Sequence, residues 1–240
     1  MTIRVAMWSG PRNISTAMMR AWENRYDTQV IDEPFYAYYL RASGKVHPMQ
    51  DDVLASQPQQ WQQVVEQLLA PRQCDIFYQK MMTHHMLDEI DLSFCAQLKH
   101  CFLIRNPANV VNSYVKKIRE VNDEDIGIKR QWQLYQKISE ISGQDIPVID
   151  SKDVLKNPRA ALSAVCEQLG LDFDETMLSW PQGRRDSDGV WAPHWYQRVE
   201  ASTEFEPYRP ETIKLTAAQQ AVADENQDAY QQMFEKRLMP

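Results

Sequence analysis

The stretch Ile3-Arg4-Val5-Ala6-Met7-Trp8-Ser9-Gly10-Pro11-Arg12-Asn13-Ile14-Ser15-Thr16-Ala17-Met18-Met19-Arg20-Ala21-Trp22 decides how this chain folds. An apolar run, Ile3 to Trp8, breaks into a polar turn and then into a helical pattern from Ala17 to Trp22. A short apolar run bounded by turn residues predicts a buried strand, and apolar residues at a 3.6-residue period predict a helix. A strand that feeds a helix through a tight turn leaves the helix's first N–H groups and the positive end of its dipole facing that turn. Phosphate or sulfate is the guest such a turn suits, and Arg12, Ser15 and Thr16 add side-chain donors. A well-capped turn that binds nothing is the alternative reading of the same pattern.

The same alternation continues along the chain. Strands are predicted at Arg4–Trp8, Gln29–Asp32, Ile76–Lys80, His100–Ile104 and Pro147–Asp150, with helices at Thr16–Arg25, Pro58–Leu69, Asn109–Arg119, Ile128–Ile141, Pro158–Leu169 and Ala217–Leu238. Asn157-Pro158 and Thr216 supply helix starts, and Gly170 a stop. Strands alternating with helices predict an α/β three-layer sandwich, a central parallel sheet of about five strands flanked by helices. Residues 1–240 are expected to form a single domain, with an ordered aromatic- and Gly-rich loop at 180–209 and a C-terminal helix at 216–238.

Composition narrows the function classes. A hydrophobic share of 43% with 25% charged residues is that of a globular protein. No apolar run reaches the roughly 18 residues that a membrane span needs, so neither a membrane nor a leader segment is expected and the predicted compartment is cytoplasmic. A net charge of −7 argues against nucleic acid as a partner, which needs a basic face. Cys74, Cys95, Cys101 and Cys166 lack CxxC spacing and lie in apolar segments, as reduced core thiols do.

A second strand ends in a polar turn at Leu103-Ile104-Arg105-Asn106-Pro107-Ala108-Asn109-Val110-Val111-Asn112-Ser113-Tyr114. Arg105 falls at a strand's carboxyl end, where open α/β sheets bind ligands, and its planar fork suits a phosphate dianion. The first turn is not an ATPase loop: in GxxxxGK[ST] the second glycine and the lysine would fall where Ile14 and Ser15 stand. Nor is there a GxGxxG pattern for a dinucleotide.

Together, strand–Pro11-Arg12-x-x-Ser15-Thr16–helix and Arg105-Asn106-Pro107-Ala108-Asn109-Val110-Val111-x-Ser113-Tyr114 resemble the two nucleotide-binding signatures of the sulfotransferases that use PAPS (3′-phosphoadenosine 5′-phosphosulfate). The resemblance implies a P-loop nucleotide-kinase-like fold, with PAPS as co-substrate and no metal. It places Arg12, Asn13, Ser15 and Thr16 at the 5′-phosphosulfate and Arg105 with Ser113 at the 3′-phosphate. The 180–205 segment further resembles a sulfotransferase-like subgroup, some of whose members carry the label of branched-chain aminotransferases. One departure stands out: Ile14 replaces the family's glycine. A β-branched residue does not adopt positive φ cheaply, so a differently shaped loop is expected.

Two further segments supply candidate chemistry. Sulfuryl transfer to an alcohol needs a base, and Glu33, in Ile31-Asp32-Glu33-Pro34-Phe35, follows a strand end as the base glutamate of many bacterial and carbohydrate sulfotransferases does. Strand alternation sends Asp32 to the opposite face. In Gln79-Lys80-Met81-Met82-Thr83-His84-His85, Lys80 is expected to neutralise charge on the departing oxygen, and His84 or His85 is the alternative base. The loop bearing Arg184, Gly189, Trp191 and Trp195 is expected to close over the nucleotide and to move without it. The predicted activity is transfer of a sulfuryl group from PAPS to a hydroxyl of a small-molecule acceptor. The alternatives are an ATP-dependent small-molecule kinase and a non-catalytic nucleotide-binding protein.

Overall fold

The computed structural model describes residues 2–116, 121–210 and 212–239. Five strands, β1 (Ile3–Ser9), β2 (Thr28–Asp32), β3 (Ile76–Met82), β4 (Lys99–Ile104) and β5 (Val148–Asp150), form one sheet in the order β2-β3-β1-β4-β5. Every pairing is parallel. Parallel strands need crossovers, and the helices that supply them cover both faces. Alternation within β1 shows the consequence. Ala6 and Trp8 join Phe77, Phe102 and Val148 in one core, under the helices Trp61–Leu69, Ile128–Ser142 and Gln227–Phe234. Val5 and Met7 join Tyr78, Cys101 and Leu103 in the other, under Ser15–Glu23 and Pro158–Gln168. The result is the α/β three-layer sandwich with a five-stranded parallel sheet.

Several predicted ends move. The helix expected over Asn109–Arg119 begins at Pro107, capped by Asn106, and runs to Tyr114; residues 117–119 lie outside the described residues. The helix expected over 216–238 is two helices, Ala217–Glu225 and Gln227–Phe234, divided at Asn226. That side chain is wholly buried and its amide donates to Asp123 Oδ1 and the Val222 carbonyl, so the break is held by a tertiary contact that no local pattern signals. Helices at Tyr36–Ser43, Gln50–Ser56 and Ser151–Lys156 were not predicted. Of the four cysteines, Cys74 is half-buried and the other three are buried, all as free thiols. Among the described residues no helix is long and apolar enough to cross a membrane.

Buried polar side chains brace the carboxyl edge of the sheet. Gln131 donates to the carbonyls of Trp8 (3.2 Å) and Leu103 (3.0 Å), tying β1 to β4 just before their functional turns. On the same face of these strands Trp8 Nε1 donates to His100 Nδ1 (3.0 Å), which leaves His100 Nε2 as the donor to the Cys95 carbonyl (2.9 Å). This arrangement requires a neutral ring, and burial lowers its pKa to about 4. The unfolded chain binds that proton near pH 6.5, so the contribution of neutral His100 is complete above pH 6.5 and is lost as pH falls toward 4. The stability advantage of wild type over His100→Asn should shrink by about 2 kcal/mol between pH 7 and pH 5. Urea unfolding at the two pH values measures it, and a constant gap would mean that the folded chain protonates His100 readily.

Candidate active site

The first turn carries its strain at Arg12. Its φ is +55°, while Ile14 sits at φ −89° and ψ 22° as the residue before the helix. Isoleucine therefore needs no positive φ, and the loop shape expected to suffer at position 14 is instead set two residues earlier. Gly10 is required for a different reason: a Cβ there would lie 3.0 Å from the Ile126 carbonyl oxygen. The helix Ser15–Glu23 starts with no side-chain cap, so its first N–H groups are not occupied by a neighbouring side chain. The helix Pro107–Tyr114 differs, because the Asn106 side chain accepts from Ala108 N and Asn109 N. Of the two turns, then, the first offers backbone donors and the second offers Arg105 and Ser113.

Those two residues lie against the first turn. Arg105 Nη1 donates to the Arg12 carbonyl (2.6 Å) and Arg12 Nε donates to Ser113 Oγ (3.3 Å). The Arg12 guanidinium is lowered in pKa by burial, then by the like charges of Arg105 and Arg198. Cations gathered beside an uncapped helix N-terminus make one anion-suited region rather than two separate ones. Asn13 instead braces the loop, since its amide donates to the Leu103 carbonyl (3.1 Å) and its Oδ1 accepts from Ile14 N (2.9 Å). It fastens the turn to β4 with one of its two amide protons and lines the cleft. Ser15 and Thr16 line the cleft.

That cleft, about 1060 Å³, runs along the carboxyl edge of the sheet from Arg12 and Arg105 to Glu33, Tyr36, His84 and His85. At its far end β2 and β3 pair Asp32 with Lys80 in register, so the two side chains are cross-strand neighbours. Alternation would turn Glu33 away, but its φ is +42°, and the kink brings its carboxylate back. Lys80 Nζ donates to Asp32 Oδ1 (2.8 Å), Glu33 Oε1 (2.7 Å) and Tyr196 OH (2.6 Å). This corrects two expectations. Asp32 shares the face of Glu33, and the three protons of a lysine ammonium are all committed, leaving none for a departing oxygen. Arg12 and the helix N-terminus remain as the positive groups beside an anion.

Glu33 is raised in pKa, first by burial and then, against the opposing pull of Lys80, by the charge of Asp32. Its Oε2 faces His85 Nε2 at 4.0 Å, beyond hydrogen-bonding range. His85 stacks on Tyr36 and Tyr39 with ring centroids 4.7 and 4.8 Å away. Burial drives its pKa well below the ordinary value, and that of His84 to about 3. Both rings are neutral at physiological pH, but among the described residues no carboxylate or hydroxyl hydrogen-bonds His85 Nδ1 to orient the packed ring as a base.

The 180–209 segment is fixed at three points. Arg20, wholly buried, pairs with Asp188 (2.7 Å); Gly189 N donates to Asp32 Oδ2 (3.2 Å); and the Tyr196 hydroxyl, which accepts from Trp191 Nε1 (3.1 Å), donates to Asp32 Oδ2 (2.7 Å). A Cβ on Gly189 would stand 2.2 Å from the Trp191 ring, so that glycine is needed for packing. Trp191, Trp195 and Tyr196 line the cleft, whereas Arg184 is exposed and outside it. The segment expected as a mobile cover is bonded to the helix Ser15–Glu23 and to the end of β2, a pinned wall of the cleft, and Arg184 stands outside that cleft. Reading the sequence missed Tyr196 and Arg198. The aromatic richness of 191–196 was the signal for the first, and nothing local marks the second.

A family model described as a sulfotransferase domain matches residues 3–233. The chain belongs to the sulfotransferase family. Its fold is found in the sulfotransferase of Alicyclobacillus acidocaldarius (TM-score 0.56, 9% identity, covering 100% of this chain and 98% of that one). It is found as well in mouse sulfotransferase SULT7A1 complexed with PAP (TM-score 0.53, 11% identity, covering 93% and 82%). Among curated proteins, Branched-chain-amino-acid aminotransferase-like protein 1 of Arabidopsis thaliana is 32% identical over 212 residues, 87% of this chain and 38% of that protein. This sulfotransferase chain thus spans well under half the length of the plant relative. Among the described residues, no group of three or more His, Cys, Asp or Glu could hold a metal ion.

Proposed function

We propose that this protein transfers a sulfuryl group from PAPS to a hydroxyl of a small acceptor, with Glu33 as the base. The observation that carries the proposal is one cleft with opposite chemistry at its two ends. The cationic end, Arg12, Arg105 and Ser113 beside an uncapped helix N-terminus, suits a nucleotide's phosphates. The other end holds a buried carboxylate of raised proton affinity. PAPS supplies the activated sulfuryl group when bound. The helix N-terminus and Arg12 hold its 5′ end, and Arg105 with Ser113 the 3′-phosphate. Glu33 Oε2 accepts the acceptor's hydroxyl proton, while Lys80 steadies Oε1. The stacked rings of Tyr36, Tyr39 and His85 and the pinned Trp191 keep water from the carboxylate, and a drier site strengthens each of these interactions.

A thermal-shift titration tests the donor. 3′-Phosphoadenosine 5′-phosphate should raise Tm well beyond ADP at equal concentration, and ATP with magnesium should do no better than ADP, since a ligand at a hundred times its Kd stabilises by about 2.7 kcal/mol. A response to ATP with magnesium alone would replace this reading with the kinase one. Arg105→Ala should weaken the 3′-phosphorylated nucleotide about 10- to 100-fold, the worth of a charge-assisted contact, and leave ADP binding unchanged. Equal losses for both nucleotides would mean that Arg105 acts only by shaping the first turn through the Arg12 carbonyl.

A further inference from the structure

We propose that Asp32 and Tyr196 act together as positioning residues that divide Lys80 between two carboxylates, Asp32 keeping it from committing fully to Glu33 and Tyr196 keeping it from moving wholly to Asp32, which leaves Glu33 Oε2 as the proton acceptor of the site. The inference rests on Glu33 being the base and concerns how the chain makes it one.

Two carboxylates face one ammonium, so the donors around each decide which takes a further proton. Asp32 is well served. Lys80 donates to its Oδ1 (2.8 Å), the Tyr196 hydroxyl to its Oδ2 (2.7 Å) and the Gly189 N–H to Oδ2 (3.2 Å). Glu33 receives Lys80 on Oε1 at 2.7 Å. The Tyr196 oxygen lies 3.4 Å from Glu33 Oε1 and 2.7 Å from Asp32 Oδ2, and a phenol has one proton to give. That proton goes to the nearer oxygen. The phenol's own oxygen accepts from Lys80 (2.6 Å) and Trp191 Nε1 (3.1 Å), so every polar atom of Tyr196 is used.

The groups facing Glu33 are Asp32 at the end of β2, Lys80 of β3, His85 of the turn after β3, Tyr36 of the helix Tyr36–Ser43 and Tyr196 of the pinned wall. Lys80 is the cation among them, because burial keeps His85 neutral. A fully ionised trio carries one surplus negative charge in a buried site. Asp32 receives three donors and Glu33 one, so the surplus negative charge is least compensated at Glu33. Tyr196 sustains the division, because without its proton Asp32 would draw Lys80 away from Glu33.

Carbon-13 NMR titration of the glutamate side-chain carboxyls, with Glu33 assigned by its loss in Glu33→Gln, tests this with neither nucleotide nor acceptor present. In Asp32→Asn the Glu33 midpoint should fall by about one pH unit, because a like charge is gone. In Tyr196→Phe it should rise, because Lys80 moves to Asp32. A structural role alone would not produce opposite shifts. A midpoint unmoved or moved the other way in either variant overturns the proposal, and if Asp32→Asn does not fold, Tyr196→Phe alone decides it. Both shifts without any transfer from PAPS would reject the proposed activity and leave this inference standing.

Discussion

Glu33→Gln is expected to lower kcat by about 10²- to 10⁴-fold, the range that general-base catalysis contributes, while the Tm increment given by 3′-phosphoadenosine 5′-phosphate stays as in wild type. The substitution is nearly isosteric and leaves Lys80 paired with Asp32 at 2.8 Å, one ammonium with one carboxylate, so no buried charge is stranded. The nucleotide contacts assigned to Arg12, Arg105 and Ser113 lie at the other end of the cleft. A loss in rate that leaves nucleotide binding intact marks a residue acting on the acceptor's proton. His85→Asn is the control, because His85 is the alternative base. Its ring is packed between two tyrosines, and its removal should cost about tenfold or less. Sulfuryl transfer measured for the three proteins decides between them, and a deeper defect in His85→Asn would hand the role to the imidazole. The pH profile gives a second check. A base must be ionised, and the pKa of Glu33 is raised, first by burial. The acid limb of wild-type kcat should therefore lie above the pH 4.3 of an ordinary glutamate, with rate lost as pH falls through it.

Why Glu33 was legible in the sequence and its partners were not follows from what each depends on. The five strands announce themselves because both faces of a parallel sheet are buried, so Ile3–Ser9 and Lys99–Ile104 are apolar almost throughout. The motifs at Arg12 and Arg105 stand at strand ends, where turn chemistry is local. Asp32 failed because period-two alternation was carried one residue past the strand, and the φ of +42° at Glu33 cancels it. Tyr36–Ser43 escaped because Tyr36, Ala37, Tyr38, Tyr39 and Leu40 are all buried, which erases the amphipathic period that signals a helix. Lys80 looked like a free cation because its three partners come from residues 32, 33 and 196, and spacing along a chain does not reveal which charges a fold neutralises. Arg184 failed the opposite way: a charged residue in an aromatic loop invited a ligand, but the loop turns it to solvent.

The largest stability effect should come from the same wall. Asp188→Leu strips Arg20, whose side chain is 0% exposed, of its close carboxylate and leaves it Glu23 at 3.5 Å; breaking a buried pair in this way costs about 3–5 kcal/mol. The double variant Arg20→Met/Asp188→Leu should recover most of that loss. The wild-type pair is only partly satisfied: Arg20 Nη2 reaches Asp188 at 2.7 Å and Nη1 lies 3.5 Å from Glu23 Oε2, while among the described residues Arg20 Nε and Nη1 have no hydrogen-bond acceptor. Apolar groups of similar size replace such a pair at little cost. Activity should not return with stability. Arg20 belongs to the helix whose N-terminus faces the anion site, and Asp188 precedes the Gly189 N–H that donates to Asp32. The ion pair thus fixes the distance between the donor end of the cleft and the carboxylate cluster, which packing by methionine and leucine does not reproduce. Urea unfolding and steady-state kinetics on the single and double variants separate the two roles. Recovery of stability with kcat still depressed assigns the pair to positioning, and recovery of both would reduce it to a fold contact.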